Sequence, residues 1–192
     1  MQKIYYLFDP LCGWCYAVSN GLAELAENAE IELIPTGLFS YDRLIDADWA
    51  EHAWTNDQRI HQLTGLSFSE TYRQNILFGA KNFNSFALVQ ALTAVRQVEP
   101  TQELNVLRLF QKARYENGLD TADINVLSQI LTENGFTQAV NILQNSATID
   151  LAKERITQGV ALAAELGVRG VPQIFKQTEQ GLIQLNTQTF IK

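Results

Sequence analysis

The chain has 192 residues, of which 46% are hydrophobic and 18% are charged, as is typical of a soluble globular protein. This length allows one domain with a substantial core, or one domain that carries a sizeable insertion. With 14 basic and 21 acidic side chains the net charge is −7, so the chain lacks the basic surface that binds nucleic acid or acidic membranes, and we expect neither as a partner.

The first predicted element is a buried strand in the aromatic and β-branched run Lys3-Ile4-Tyr5-Tyr6-Leu7-Phe8. No basic and apolar leader precedes it, and no stretch of the sequence approaches the length of a transmembrane helix. We therefore expect a cytoplasmic protein that does not associate with membranes. A reducing compartment also favours catalytic over structural thiols.

The strand is followed by Cys12-Gly13-Trp14-Cys15, which contains the only two cysteines of the chain. An apolar stripe predicts one amphipathic helix that begins at this dithiol, and its members are Cys15, Val18, Leu22, Leu25 and Ala29. Residues three apart lie on the same side of a helix, so the two thiols can form and break a disulfide in place. The unpaired N–H groups of a first helical turn stabilise an anion, which favours Cys12 as the attacking thiolate and Cys15 as the resolving thiol.

Two other interpretations of the cysteine pair are a static disulfide and half of a zinc site. A disulfide that closes so small a loop would remove little chain entropy and stabilise the fold poorly. A zinc site would need two more ligands, and the available imidazoles, His52 and His61, are nine residues apart with no second CxxC. Redox activity is the preferred interpretation, and it requires neither a metal nor a cofactor because the dithiol carries the electrons.

The run Ile31-Glu32-Leu33-Ile34, closed by Pro35 and Gly37, predicts a second strand, parallel to the first. Helical periodicity then continues from about residue 40 to 145, with Asp48 and Ser85 as expected N-caps. The predicted helices run from Asp48 to Gly65, from Ser85 to just before Pro100, from about Thr101 to Gly118, and from Thr121 to Gly135. We interpret their apolar stripes mainly as core.

A long amphipathic helix is predicted from about Ile149 to Gly167, with Val160 in its apolar stripe. The stretch Val168-Arg169-Gly170-Val171-Pro172 then leads into a predicted β-hairpin. A proline that enters a strand cannot donate to the ladder, so Pro172 belongs at an edge or at a special turn.

The order of strand, CxxC at a helix start, strand, helical block, long helix, Gly-Val-Pro and hairpin resembles the DsbA family over nearly the whole chain. The opening Asp9-Pro10-Leu11-Cys12-Gly13-Trp14-Cys15-Tyr16 looks like the cytoplasmic FrnE-like branch. Three further stretches are similar to that branch: Ile60-His61-Gln62-Leu63-Thr64-Gly65, Gln111-Lys112-Ala113-Arg114-Tyr115-Glu116-Asn117-Gly118 and Gly167-Val168-Arg169-Gly170-Val171-Pro172. The resemblance implies an α/β thioredoxin fold, split into residues 1–39 and 146–192, with an all-helical domain of residues 40–145 inserted after the first strand-helix-strand unit.

The resemblance also implies a substrate site. In the family the proline corresponding to Pro172 is cis and packs beside the dithiol, and the backbone of the preceding residue, here Val171, pairs with an extended peptide. Trp14, next to the exposed sulfur, is expected to offer an apolar contact. These features imply a protein disulfide oxidoreductase or isomerase that exchanges disulfides with protein or small-thiol substrates, with glutathione as a candidate redox partner.

Some positions depart from the family pattern. Gly13 and Trp14 occupy the places where strongly oxidising relatives carry a histidine that favours the thiolate, so we expect a weaker oxidant. The family often has a buried acid on the first strand as a proton shuttle, and this chain has Tyr6 there. Asp9 is the nearest carboxylate in the sequence, and we expect a helix-capping or loop residue first and a proton-transfer helper second.

Two rival functions share the same pattern. The glutathione transferase kappa and hydroxychromene carboxylate isomerase group has this architecture and uses glutathione, but it typically has a serine at the position of Cys12. A titration of the protein with glutathione would discriminate between this group and a disulfide oxidoreductase. A non-catalytic peptide-binding module or chaperone would use the groove beside Pro172, and its activity would survive Cys12→Ser and Cys15→Ser. The direction of exchange, the substrate and the oligomeric state are left open.

Overall fold

The computed structural model describes residues 2–192, in which two strands precede a block of helices and two strands follow it. The strands are β1 (Gln2–Phe8), β2 (Ala29–Pro35), β3 (Gln173–Thr178) and β4 (Gly181–Gln184). The helices are α1 (Gly13–Ala17), α2 (Ser19–Ala26), α3 (Ala47–Thr64), α4 (Glu70–Tyr72), α5 (Phe86–Val98), α6 (Glu103–Tyr115), α7 (Ile124–Glu133), α8 (Thr137–Ile142) and α9 (Ser146–Glu165). A π-helical turn at Arg73–Leu77 follows α4, and 3-10 turns cover Pro100–Gln102 and Thr187–Phe190. None of these helices is both long and apolar enough to cross a membrane.

A mixed sheet with the strand order β2-β1-β3-β4 lies at the centre of the fold. β1 pairs in parallel with β2 and antiparallel with β3, and β4 completes the hairpin. Tyr6 of β1 is opposite Leu33 on one side and Ile174 on the other, and all three are buried. The predicted parallel strand-helix-strand unit and the predicted C-terminal hairpin are both confirmed. The fold is an α/β thioredoxin fold with an inserted helical region.

The helix predicted after the dithiol is interrupted. α1 ends at Ala17 and α2 begins at Ser19, with Val18 between them at φ −91° and ψ −2°. Ser19, Asn20 and Gly21, which follow the break, are poorer helix formers than alanine or leucine. The prediction from the apolar stripe did not take helix propensity into account.

The helical region follows the predicted pattern, but its capping hydrogen bonds differ. Ser85 directly precedes α5 as predicted, and its side chain forms no capping hydrogen bond. Asp46 rather than Asp48 caps α3, because its Oδ1 accepts the N–H of Trp49 at 2.8 Å. Asp123 caps α7, two residues after the predicted start of this helix at Thr121, because its Oδ1 accepts the N–H of Asn125 at 2.8 Å. In both places an aspartate two residues from the predicted helix start forms the capping hydrogen bond. The short helix α8 was not predicted.

α9 packs on β2 through a different face from the predicted one. Val160 is 52% exposed, so its place in the predicted buried stripe was wrong. The buried residues of α9 are Thr148, Ala152, Arg155 and Gly159. A Cβ atom on Gly159 would lie 2.0 Å from the carbonyl oxygen of Pro35, so the missing side chain lets the helix approach the strand backbone.

A buried ionic network joins the sheet to the helical region. Arg155 of α9 binds the carboxylate of Glu103 on α6 and donates to the hydroxyl of Thr93 on α5 at 3.0 Å. Arg96 adds ion pairs to Glu103 and to Glu32 of β2. The buried hydrophobic residues of the strands and of the inserted helices form one core. The ionic network adds contacts between the same two parts of the fold, and each charge in it has a partner of opposite charge.

Candidate active site

Cys12 and Cys15 lie at the start of α1 as free thiols. Cys12 directly precedes the helix, and its carbonyl oxygen accepts the N–H groups of Cys15 and Tyr16 at 2.9 and 3.1 Å. The Cys12 residue is 9% exposed, whereas Cys15 is 1% exposed. The structure therefore brings the two predicted catalytic residues together and gives Cys12 the better access to solvent.

The Cys15 thiol is enclosed by protein. Burial raises its pKa well above the ordinary value, and the neighbouring Cys12 sulfur raises it further. The Tyr6 side chain and the backbone of Asp9 act in the opposite direction. The hydroxyl of Tyr6 also donates to the carbonyl oxygen of Cys15 at 3.0 Å. Cys15 therefore keeps its proton at neutral pH, as a resolving thiol does before its attack.

The loop before β3 brings Val171 and Pro172 beside the dithiol. The Val171-Pro172 peptide bond is cis, as the family resemblance implies. The carbonyl oxygen of Val171 accepts a hydrogen bond from the Cys12 Sγ at 3.8 Å. Because β3 pairs with β1 in the sheet, the backbone of this loop is held within contact of the Cys12 sulfur.

Asp9 is fully buried just after β1 and accepts hydrogen bonds from the N–H groups of Leu11 and Phe39 and from the hydroxyl of Ser85, each at 2.9 Å. Burial raises the pKa of Asp9, while these donors and the charge of Arg114 oppose that rise. The Asp9 side chain does not cap α1. It is a loop residue that joins the end of β1 to the start of α5, and its role in proton transfer stays a prediction.

A cavity of about 320 Å³ opens beside Cys12, between the dithiol and the inserted helices. Trp14 lies in its wall, half buried, and the guanidinium of Arg59 is 5.8 Å from the centre of its ring. α3 also lines the cavity, through Trp49, His52, Ala53, Asn56 and Ile60. The predicted substrate contact Trp14 thus borders a space large enough for part of a ligand.

Asp57 of α3 lines the same cavity and was missed by the sequence analysis. It is 4% exposed, and a Cβ atom on Gly13 would lie 2.6 Å from its Oδ1. The hydroxyl of Tyr72 donates to its Oδ2 at 3.0 Å. Burial raises the pKa of Asp57 to about 7, against the effects of Tyr72 and Arg114. One signal was present in the sequence, because position 57 falls in line with the apolar residues Trp49, Ala53 and Ile60.

Arg114 of α6 supplies a buried positive charge near both carboxyl groups. It is 1% exposed, and its guanidinium lies 5.7 and 5.4 Å from the ring centres of Tyr72 and Phe83. Within residues 2–192 its three side-chain nitrogens form no hydrogen bond. Its charge favours the ionised forms of Asp9 and Asp57 and so lowers the pKa of each.

The two imidazoles that the zinc alternative needs do not converge. His52 lines the cavity at Cys12, whereas Nδ1 of His61 is 2.8 Å from the carbonyl oxygen of Leu66. Among residues 2–192, no three His, Cys, Asp or Glu side chains form a group that could hold a metal ion.

A thioredoxin fold with inserted helices and a dithiol at the start of its first helix defines a class of redox proteins. The family model for the DSBA-like thioredoxin domain matches residues 3–187, and the chain belongs to that family. A comparison with the curated proteins finds no match.

Several solved structures share this architecture. The cytosolic disulfide reductase DsbM from Pseudomonas aeruginosa is 25% identical, with a TM-score of 0.89 over 98% of this chain and 91% of that one. Its structure with GSH is 26% identical, with a TM-score of 0.88 over 98% and 92%. A 2-hydroxychromene-2-carboxylate isomerase is 18% identical, with a TM-score of 0.60 over 94% and 87%, and is similar in fold alone.

Proposed function

We propose that this chain is a cytoplasmic thiol-disulfide oxidoreductase in which Cys12 is the nucleophile and Cys15 the resolving thiol. The observation that carries the proposal is the unequal burial of two adjacent free thiols, 9% and 1% exposed. The membership of the DSBA-like family and the name of the cytosolic reductase DsbM, which is similar over almost the whole chain, support it.

Exchange proceeds through a mixed disulfide. The Cys12 thiolate attacks one sulfur of a substrate disulfide, a bond forms between these two sulfurs, and the other substrate sulfur leaves as a thiolate. Cys15 then loses its proton and attacks the Cys12 sulfur, which releases the second substrate thiolate. The substrate gains two electrons, and the enzyme is left with a Cys12–Cys15 disulfide. The reverse sequence oxidises a substrate, whereas attack of another substrate thiol on the mixed disulfide, in place of Cys15, isomerises it and releases the Cys12 thiolate.

The substrate backbone binds at Val171, and substrate side chains bind in the cavity beside Cys12. The carbonyl group of Val171, next to Pro172, lies beside Cys12 Sγ and suits pairing with an extended peptide. Trp14, which borders the cavity, offers the apolar contact. Protein or peptide disulfides are therefore the proposed substrates. Glutathione is the proposed redox partner, since the similar DsbM has been solved with GSH.

Removal of the resolving thiol tests this mechanism. Reduced Cys15→Ala protein, mixed with glutathione disulfide, should accumulate one glutathione on Cys12, because no second thiol can release it. Mass spectrometry of the intact protein and of its peptides locates the adduct. The matched control is Cys12→Ser, in which the buried Cys15 should stay unmodified.

An unmodified Cys12 in the Cys15→Ala protein would contradict the proposal. A protein that binds glutathione without forming any mixed disulfide would instead favour the transferase and isomerase group. Peptide binding that persists when both cysteines are replaced by serine would favour the non-catalytic module.

A further inference from the structure

We infer that the carboxyl group of Asp57 donates a proton to the substrate sulfur that leaves when Cys12 attacks, and takes that proton back in the reverse reaction. This inference rests on the proposed function and adds a catalytic residue to it. Asp57 comes from the inserted helical region, so the insertion supplies a chemical group as well as a wall of the site.

The position of Asp57 is the first argument. Its carboxylate packs against Gly13, the residue after Cys12, at a distance that leaves no room for a side chain there. Both Asp57 and Cys12 line the cavity that opens beside the dithiol. Cys15 is enclosed by protein and is not among the residues that line this cavity, so we place the departing sulfur of a disulfide bound there beside Asp57.

The surroundings of Asp57 are the second argument. Tyr72, Tyr115 and Arg114 interact electrostatically with Asp57, and the titratable groups Cys12 and His52 line the same cavity. The hydroxyl of Tyr72 donates to Asp57, whereas that of Tyr115 is directed to the carbonyl oxygen of Leu11 at 3.0 Å. The buried guanidinium of Arg114 has no hydrogen-bond partner of its own within residues 2–192 and compensates the negative charge when Asp57 ionises.

The protonation of Asp57 suits a donor and acceptor at neutral pH. Burial raises its pKa to about 7, so that both forms are populated where the enzyme works. A carboxyl group that was always ionised could not protonate a thiolate, and one that was always neutral could not accept the proton back.

The step balances without a further reactant. The Cys12 thiolate forms a bond to one substrate sulfur, the S–S bond of the substrate breaks, and its electron pair goes to the departing sulfur. The proton of Asp57 moves to that sulfur, which leaves a neutral thiol and an Asp57 carboxylate. In the reverse direction the carboxylate removes the proton from an incoming thiol, and the thiolate attacks the mixed disulfide.

Leaving groups of different acidity test the inference. The reduced wild type and Asp57→Asn are mixed in single turnovers with glutathione disulfide, whose alkyl thiolate is basic, and with 5,5′-dithiobis(2-nitrobenzoate), whose aromatic thiolate leaves without a proton. Asp57→Asn should slow the first reaction at least about tenfold and leave the second unchanged, since positioned acids contribute roughly 10²- to 10⁴-fold. Asp48→Asn removes an exposed carboxylate from the same helix and is the matched control, with both rates unchanged.

The pH dependence adds a readout that a structural role would not move. The ratio of the wild-type rate to the Asp57→Asn rate with glutathione disulfide should fall as the pH rises through about 7, because the donor loses its proton. Equal slowing of both reactions, no slowing of either, or a ratio that does not change with pH would overturn the inference. If the reduced wild type reacts with neither disulfide, the proposed function itself fails.

Discussion

At the scale of single residues, Asp57 has a neutral and an ionised form of similar free energy near neutral pH. Burial opposes ionisation, and the hydroxyl of Tyr72 and the charge of Arg114 favour it, with a resulting pKa of about 7. An aspartate in an unfolded chain ionises near pH 4. Between these two pH values the folded protein therefore holds a proton that the unfolded chain has released.

This difference predicts a pH-dependent change in stability. The free energy of unfolding of the wild type, measured relative to Asp57→Asn, should fall as the pH rises from about 4 to about 7, by at most about 1.4 kcal/mol per pH unit. The sign follows because the unfolded state binds fewer protons than the folded state in this range. Urea denaturation of both proteins at several pH values measures it, and a constant difference would show that the pKa of Asp57 is not raised.

Asp57 also shows where prediction from sequence stops at this scale. Cys12 and Cys15 could be predicted as a pair because their spacing brings them together within one helical turn. Asp57 reaches Gly13 only through the packing of α3 against α1, a tertiary contact that has no local signal. Its position in the apolar stripe of α3 was the available clue.

At the scale of elements, the contact between α9 and β2 depends on a small residue. Gly159 faces the backbone of Pro35, whose carbonyl oxygen and carbon would lie 2.0 and 2.9 Å from an added Cβ atom. Backbone atoms cannot rotate away as a side chain can, so any side chain at this position must push the helix off the strand.

Gly159→Ala should therefore lower the free energy of unfolding by roughly 1–3 kcal/mol, the usual cost of overpacking, although alanine is the better helix former. The neighbouring Val160→Ala is the matched control, and it should change stability by no more than about 0.5 kcal/mol because Val160 is largely exposed. Chemical denaturation gives both values. A larger loss in the free energy of unfolding for Val160→Ala than for Gly159→Ala would show instead that the face predicted from the apolar stripe is the buried one.

The predicted face of α9 was wrong for a physical reason. The prediction located the buried face from the spacing of apolar residues such as Val, Leu and Ile. The buried face of α9 in fact includes a glycine and an arginine. Arg155 can be buried there because the carboxylate of Glu103 compensates its charge and the carbonyl oxygen of Leu33 accepts a hydrogen bond from its guanidinium. Both partners are distant from Arg155 in sequence. A sequence pattern does not reveal such paired charges.

At the scale of the whole molecule, the order of elements was predicted well. The parallel unit, the helical block, the long helix and the hairpin follow one another as expected, and the cis peptide bond precedes β3 as the family resemblance implies. The boundaries at residues 1–39, 40–145 and 146–192 stay a prediction, as does the FrnE-like branch. Sheet and inserted helices share one core. The cavity at Cys12 is lined by the dithiol segment and α1 on one hand and by inserted helices on the other, so the proposed site depends on the complete fold.

The equilibrium of the dithiol with glutathione tests the central claim most directly. The protein is incubated with reduced and oxidised glutathione at a series of ratios, and the exchange is quenched with acid. The thiols that are still reduced are alkylated, and the mass of the intact protein then gives their number. Both thiols should disappear together in one two-electron transition, at a potential more reducing than the value of about −120 mV that marks a strong DsbA oxidant, because Gly13 and Trp14 replace the stabilising histidine. Thiols that stay reduced at every ratio, or a transition near that value, would contradict this account.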